Sequence, residues 1–330
     1  MNDFKGRLGI VTGAGSGIGR ELARQLAAEG CHLALCDIMV ENLEETRKSC
    51  QELAPPGTLI SAHPCDVSDE SQVIAFRDAV KREHNTGHIN LLFNNAGIGG
   101  GGSFITDDRA AWDRAFGICW FGVYYNTRAF MPLLLAATEG HIVNVSSVNG
   151  FWACLGPTNP HTAYSSAKFA IKGFTEGLQV DLRLNAPHVK ASLVMPGHIG
   201  TSIAINSTKV LGGRLPAEMT AEDVANLRQR LTRMGLPIEG VDDDQLKASI
   251  QQQMEDFRDK APVSAAQAAT VILDGVRHQQ WRILIGDDAR LLDQLVRELP
   301  ETAYEPSFAQ RLLTEVAARL SKLGASEDPK

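Results

Sequence analysis

Short β-rich runs alternate with longer stretches of helical periodicity along most of the chain, and this alternation limits the fold more than any other feature. Residues 8–12, 32–36, 58–62, 90–93, 141–145, 190–194 and 281–285 read as strands. Residues 18–29, 41–53, 69–83, 108–135 and 162–184 read as helices, the fourth broken near Gly117 and Gly122. Strands joined through helices pack as right-handed crossovers, which gives a parallel sheet with helices on both faces. The strands are apolar nearly throughout, as a sheet covered on both sides requires. The expected class is α/β, a doubly wound parallel sheet of about seven strands in a single domain.

Residues 203–260 interrupt the pattern. They are rich in Gln, Asp, Glu and Arg, with Gly212-Gly213 and the run Asp242, Asp243, Asp244. They read as an irregular helical insertion at the carboxyl edge of the sheet, where long insertions form lids. The expected organisation is a core over 5–202, this lid over 203–260, a last helix and strand within 261–300, and a helical extension with its tail over 301–330. Leu291, Leu292, Leu295 and Val296 repeat at helical spacing, as do Phe308, Leu312, Val316 and Leu320. Such stripes need burial, on the body or on another subunit. Residues 326–330 read as a disordered tail.

The charge balance, 32 Lys+Arg against 39 Asp+Glu for a net −7, argues against a nucleic-acid partner, which calls for a basic face. A hydrophobic content of 44% argues against disorder. Apolar runs such as 131–137 fall far short of the roughly 20 residues of a membrane span. The start, Met-Asn-Asp-Phe-Lys-Gly, has an acid and no apolar h-region, so a cytoplasmic location is expected. None of the six cysteines forms a C-x-x-C pair, and they read as reduced thiols. Among nine histidines only His84 and His88 have suggestive spacing, and the intervening Asn85, Thr86 and Gly87 make that a turn. No metal is expected.

The first strand runs into Thr12-Gly13-Ala14-Gly15-Ser16-Gly17-Ile18-Gly19 and then a helix. Glycines at such a turn let backbone approach a diphosphate, and the helix N-terminus supplies N–H donors. Asp37, eighteen residues after Gly19 and followed by Ile38, ends the second strand. A carboxylate there accepts hydrogen bonds from adenosine ribose hydroxyls and repels a 2′-phosphate, which favours NAD over NADP. Its alternative use is a helix cap. Asp66, after the third strand, is read against the adenine edge with Val67 packing on the ring; a helix cap is its alternative too.

The ordered set T-G-x-x-x-G-x-G, Asp66, Asn94-Asn95-Ala96-Gly97, Tyr164-x-x-x-Lys168 and Pro196-Gly197 resembles the short-chain dehydrogenase/reductase (SDR) family. The resemblance covers roughly residues 5–202 and resumes at the seventh strand. It implies a Rossmann-type fold and assembly as a homodimer or homotetramer through the helices that contain Cys119 and Tyr164. It also implies that Asn94 steadies the sheet and that Asn95, Ala96 and Gly97 lie along the cofactor's ribose. Ile199 and Thr201, after Pro196 and Gly197, would meet the nicotinamide carboxamide.

Tyr164 and Lys168, four apart on a helix, share a face. A nearby ammonium favours the ionised phenol, so the pair predicts a tyrosine pKa lowered toward that of a working general acid/base. Ser146 and Ser147 follow the fifth strand at the edge where ligands bind, and Ser147 matches the family's serine that hydrogen-bonds the substrate oxygen. Two departures stand out. Ser147 and Tyr164 are 17 residues apart where the family has 13, which implies a longer substrate loop with Phe151, Trp152, Leu155 and Pro157. His161 reads as loop surface, with contact to substrate as its alternative, and His198 joins the substrate side. Secondly, Cys119 stands where the family places an asparagine that helps hold a relay water, and a thiol is a poor substitute for an amide. Asn126, two turns on, is no matched replacement. The expected activity is NAD(H)-dependent hydride transfer to or from a hydrophobic secondary alcohol or ketone. The alternative is a nucleotide-binding regulator or scaffold of the same fold that has lost turnover.

Overall fold

The computed structural model describes residues 1, 3–154, 160–308, 310–312 and 314–315. In chain order the elements begin β1 (Leu8–Thr12), α1 (Gly17–Ala28), β2 (His32–Asp37), α2 (Val40–Leu53), β3 (Ile60–Pro64), α3 (Glu70–Glu83) and β4 (Leu91–Asn94). There follow α4 (Arg109–Phe116), α5 (Gly122–Leu135), β5 (Gly140–Val145), α6 (Thr162–Asn185), β6 (Val189–Pro196) and β7 (Ile199–Gly200). The chain continues with α7 (Ile203–Val210), α8 (Ala221–Arg233), α9 (Asp243–Asp259), β8 (Val263–Ser264), α10 (Ala265–Arg277), β9 (Arg282–Ile285) and α11 (Asp287–Glu298).

The main sheet has seven strands in the order β3-β2-β1-β4-β5-β6-β9, all parallel. The winding reverses between β1 and β4, the switch point that opens a crevice at the carboxyl ends of the strands. Neighbouring residues of β1 face opposite ways. Val11 packs with Leu22 and Leu26 of α1 and Ile272 of α10, whereas Ile10 packs with Phe76 of α3, Phe130 of α5 and Leu182 of α6. Each such side chain contributes about 1.5–3 kcal/mol on burial, so both helical layers are held by the alternation of one strand. Between β4, β5, α5 and α6 the core is polar: the Asn94 amide donates to Thr127 Oγ1 (2.9 Å) and Asn144 Oδ1 (2.8 Å), and the Asn144 amide donates to Thr175 Oγ1 (2.9 Å).

The third strand begins two residues later than expected, because Thr58 N–H closes a turn onto Pro55 O (3.2 Å). The break in the long helix is a π-helical turn over Gly117–Phe121, in which Gly122 N–H reaches back to Gly117 O. A two-residue parallel pair, β7 with β8, was not foreseen. The 203–260 stretch is more regular than expected. Thr220 and Asp223 form a capping box on α8, Asp242 and Gln245 form another on α9, and Val224, Leu227, Leu231 and Leu246 make a small core of their own. The stripe of α11 buries on the body: Leu291, Leu292 and Leu295 close over Trp152 together with Phe308. Val316, Leu320 and the tail lie outside the described residues. No described helix is long and apolar enough to cross a membrane.

Candidate functional site

At the switch point, β1 hands over to its glycine turn beside the end of β4. Thr12 Oγ1 donates to Phe93 O (3.2 Å) and accepts the N–H groups of Asn95 and Ala96 (3.0 Å each). The Asn95 amide donates to Thr12 O (3.0 Å) and Gly13 O (3.2 Å). Gly13 sits at φ +65°, and a Cβ on Gly19 would lie 2.1 Å from Gly13 O. The turn is therefore bare backbone by necessity, followed at once by the N-terminus of α1. That is the cradle a cofactor diphosphate needs.

A cleft of about 810 Å³ opens on this turn. Ser16, Gly17 and Ile18 line it, as do Asp37 with Ile38, Asp66 with Val67, and the loop Asn95, Ala96 and Gly97. Gly15 stands behind: its N–H donates to Asp37 Oδ2 (2.8 Å), while Met39 N–H donates to Asp37 Oδ1 (2.8 Å). Met39, not Asp37, is the N-cap of α2. Burial raises the Asp37 pKa, with the N–H groups of Met39, Gly15 and Ile38 and the Arg20 charge opposing. Burial also works against ionised Asp66, but its bonds to Ser68 and the Arg114 guanidinium at 2.6 Å win, and its carboxyl titrates below the usual range. Asp69 caps α3 in its place.

The same cleft is lined by Ser147, Tyr164 and Lys168, and by Pro196, Gly197, His198, Ile199 and Thr201. Ser147 follows the end of β5, and α6 carries Tyr164 and Lys168 on one face. Lys168 is 3% exposed; its Nζ donates to Val145 O (2.9 Å) and lies 5.3 Å from the centre of the Tyr164 ring. The phenol does not follow the expected lowering. Burial pushes it up, the Cys119 thiol adds to that, and hydrogen bonding with Ser147 opposes. Burial likewise pushes the Lys168 ammonium down, with Cys119 opposing. In the chain by itself, loss of hydration outweighs an ammonium already committed to a main-chain carbonyl.

Cys119 lies in the π turn, fully buried and outside the cleft wall, and its thiol donates to Ile98 O (3.2 Å). A Cβ on Gly97 would stand 3.4 Å from Lys168 Nζ and 3.6 Å from Cys119 Sγ, so thiol and ammonium flank that glycine. Asn126 turns its amide to Gly122 O (2.8 Å).

Comparison with known proteins bears on this arrangement directly. The family described as short chain dehydrogenase matches residues 8–211. The chain belongs to the short-chain dehydrogenase/reductase family. SadH of Mycobacterium tuberculosis, which carries an oxidoreductase description, is 33% identical over 299 residues, 90% of this chain and 92% of SadH. The crystal structure of a Burkholderia phymatum SDR in complex with NAD superposes with a TM-score of 0.73 at 29% identity, covering 93% of this chain and 98% of that one. A metagenomic short-chain oxidoreductase in complex with NADP is 33% identical with a TM-score of 0.50, over 58% of this chain and 83% of that one. The family binds a nicotinamide cofactor, and the glycine cradle of this SDR fits one.

Two expected substrate contacts of this SDR are corrected. Trp152 is 7% exposed, packs against Leu291, Leu292, Leu295 and Phe308, and donates its indole N–H to Ala303 O (2.7 Å). Phe151 packs against Val123, Ile171, Leu193 and Met195. Neither lines the cleft. Both are apolar side chains claimed by core surface that lies far away in sequence. Leu155 and Pro157 lie outside the described residues. His198 lines the cleft, but its ring packs at a tilt against that of Phe257, centres 4.3 Å apart, and its Nε2 bonds Phe257 O (2.8 Å). His161 meets the Tyr164 ring edge-on at 4.9 Å, and burial pushes its pKa down to about 4, so it is neutral.

Four partners at the site of this SDR had no signal in the sequence. Asn206 of α7 donates to Ser16 Oγ (3.0 Å), and Gly99 N–H donates to Ser207 Oγ (2.8 Å), so the insertion is clasped to both cofactor-side loops. Asp288 Oδ2 accepts His198 N–H (2.7 Å) and comes so close to Gly197 that a Cβ there would lie 2.2 Å from it. Asn149 is buried beside Ser147. Such pairings join residues about 90 to 190 positions apart, or turns whose shape only the fold decides.

Proposed function

We propose that this SDR is an NAD(H)-dependent oxidoreductase acting on a secondary alcohol or ketone, with Tyr164 as the general acid/base. The observation that carries the reading is the convergence of Ser147, Tyr164 and Lys168 on the cleft that opens from the Gly13–Gly19 turn. The hydride chemistry would be supplied by a nicotinamide held in this cleft. The chain supplies the rest. Ser147 Oγ holds the carbinol or carbonyl oxygen, and Tyr164 Oη takes or gives the proton at that oxygen. Lys168 Nζ, beside the tyrosine ring, would steady the phenolate and help hold the cofactor's ribose. Since burial by itself raises the phenol, Ser147 and the Lys168 ammonium would have to stabilise its ionised form for Tyr164 to work near neutral pH.

Asp37 supports NAD as the partner: a carboxylate at the cleft wall, followed by Ile38 instead of a cation, disfavours a 2′-phosphate. Ile98, Val148, Ile203, Val210 and Leu211 line the cleft and favour a hydrophobic substrate. Phe121 in the π turn and Phe169 of α6 are 39% and 40% exposed, which supports assembly through these helices as a homodimer or homotetramer.

The test is a panel of secondary alcohols and ketones with NAD(H) and NADP(H), followed at the nicotinamide absorbance, with Tyr164→Phe alongside. Wild type should turn over with NAD, and the phenylalanine variant should bind NAD normally while losing at least about 100-fold in rate. Retention of more than about a tenth of the rate would remove Tyr164 from the chemistry.

A further inference from the structure

We infer that Asn149 is a positioning residue that aims the Ser147 hydroxyl, and that the segment around Ala303 and Tyr304 steadies it from behind. The inference rests on the role given above to Ser147. Asn149 is 3% exposed, in a short 3-10 turn over Val148–Gly150 that follows Ser147. Its main-chain N–H donates to Ser147 Oγ (3.1 Å), and its side-chain Oδ1 stands 3.5 Å from the same oxygen. One lone pair of the serine accepts that N–H, and the hydroxyl donates toward Asn149 Oδ1 over a long 3.5 Å, a weak bond that Tyr164 or a substrate oxygen can take over.

The Asn149 side chain is itself fixed. Both hydrogens of its amide are spent on the loop ahead, one on Trp152 O (3.1 Å) and one on Cys154 O (3.0 Å). A buried amide with both donors used has one orientation, which turns Oδ1 back to Ser147. The loop is pinned in turn. Trp152 donates its indole N–H to Ala303 O (2.7 Å), its ring lies 5.8 Å from that of Phe308, and Ala153 N–H donates to Tyr304 Oη (3.1 Å). A continuous path therefore runs from the C-terminal segment through Trp152 and Ala153 to Asn149 and then to Ser147. Loop cement would need only the two carbonyl bonds. The return of both the N–H and Oδ1 to one hydroxyl points to aim.

Asn149→Ala should lower kcat about 10- to 100-fold, since a small misplacement at a reacting centre costs up to about 100-fold. The Kd for NAD should stay within about two-fold, because no cofactor-side residue is touched. The pH midpoint of alcohol oxidation should move upward, because Ser147 lowers the Tyr164 pKa and would be mis-aimed. Asn149→Asp keeps the volume and loses both donors. It should fall about as far as alanine, and wild-type kcat in this isostere would overturn the inference. Trp152→Phe should cost a few-fold and be non-additive with Asn149→Ala; additive losses would overturn the path through Trp152. Amide hydrogen exchange gives a readout without turnover. Residues 147–154 should lose protection in Asn149→Ala while β5 keeps its own, and unchanged exchange would also overturn it. Failure of the oxidoreductase reading is separately visible, as absence of turnover in the wild-type protein.

Discussion

Cys119 is the residue whose role the structure changes most. The thiol is spent on Ile98 O and stays off the cleft wall, while the π turn that holds it breaks the regular helical ladder. The sulfur is then committed elsewhere and is not placed to serve the chemistry. Cys119→Ala should keep turnover within about three-fold of wild type, and a loss beyond about 100-fold with folding intact would make the thiol a participant. Asp37 presents the opposite situation. Both its oxygens hold main-chain N–H groups, so it shapes the glycine turn as well as facing the cleft. Asp37→Ser with Ile38→Arg should raise the NADP/NAD ratio of kcat/KM by about ten-fold or more, by removing repulsion and adding a phosphate partner. It should also raise KM for NAD, as the turn loosens; a wild type that already prefers NADP would show that the carboxylate serves the turn alone. Ser147, Tyr164 and Lys168 were legible because strand ends and a four-residue helical step fix their positions with little help from elsewhere. Phe151 and Trp152 were misread for the converse reason. Apolarity beside Ser147 says that something covers them, but their covers include Met195, Ala303 and Phe308, far along the chain.

Elements with a strong period were readable, and those made by a few hydrogen bonds were not. The seven strands of the sheet stand close to their expected positions because each is a run of side chains buried between two helical layers. β7 and β8 have two residues each and exist because Ile199 meets Val263 after more than sixty intervening residues, beyond the reach of local pattern. The insertion shows both behaviours. Its helices carry their own caps and a small core, yet its seat on the body depends on Asn206 to Ser16 and Ser207 to Gly99. α7 thus latches onto the turn that would hold the diphosphate. Asn206→Ala should leave the thermal midpoint nearly unchanged, since one hydrogen bond contributes about 1 kcal/mol. It should, however, speed proteolytic cleavage within 203–260 in the cofactor-free protein, because opening governs cleavage there. An unchanged cleavage rate would show that Ser207 and apolar contacts hold the insertion without the latch.

For the whole molecule, pH is a probe of what the fold buries. His141, in β5 and 2% exposed, bonds Ser192 Oγ (2.8 Å), and Ser192 in turn donates to Gln280 O (2.5 Å). That chain ties β5, β6 and the turn that leads into β9 together, with the imidazole Nε2–H as donor. Burial pushes the His141 pKa down to about 3, and the Met1 amino group and Lys190 add to this. His84, bonded to Ser61 Oγ (2.9 Å), is pushed down to about 4, again mainly by burial. Both folded pKa values lie below the unfolded value of about 6.5. Below that pH the unfolded chain binds protons that the fold refuses, so stability falls as pH drops from about 6.5 toward 3. Each histidine can contribute up to about 1.4 kcal/mol per pH unit in that window. Asp37 works the other way, since a raised carboxyl pKa favours the fold in acid, but only near and below the carboxylate range. Between pH 6.5 and about 4 the histidines therefore set the slope. Urea midpoints should be flat from pH 8 to 7 and fall steadily below 6.5. His141→Gln keeps a donor for Ser192 and cannot titrate, so it should flatten that fall while costing some stability at pH 7. An acid limb as steep as that of wild type would mean that His141 is protonated in the fold, and that the strand core around it admits charge and water.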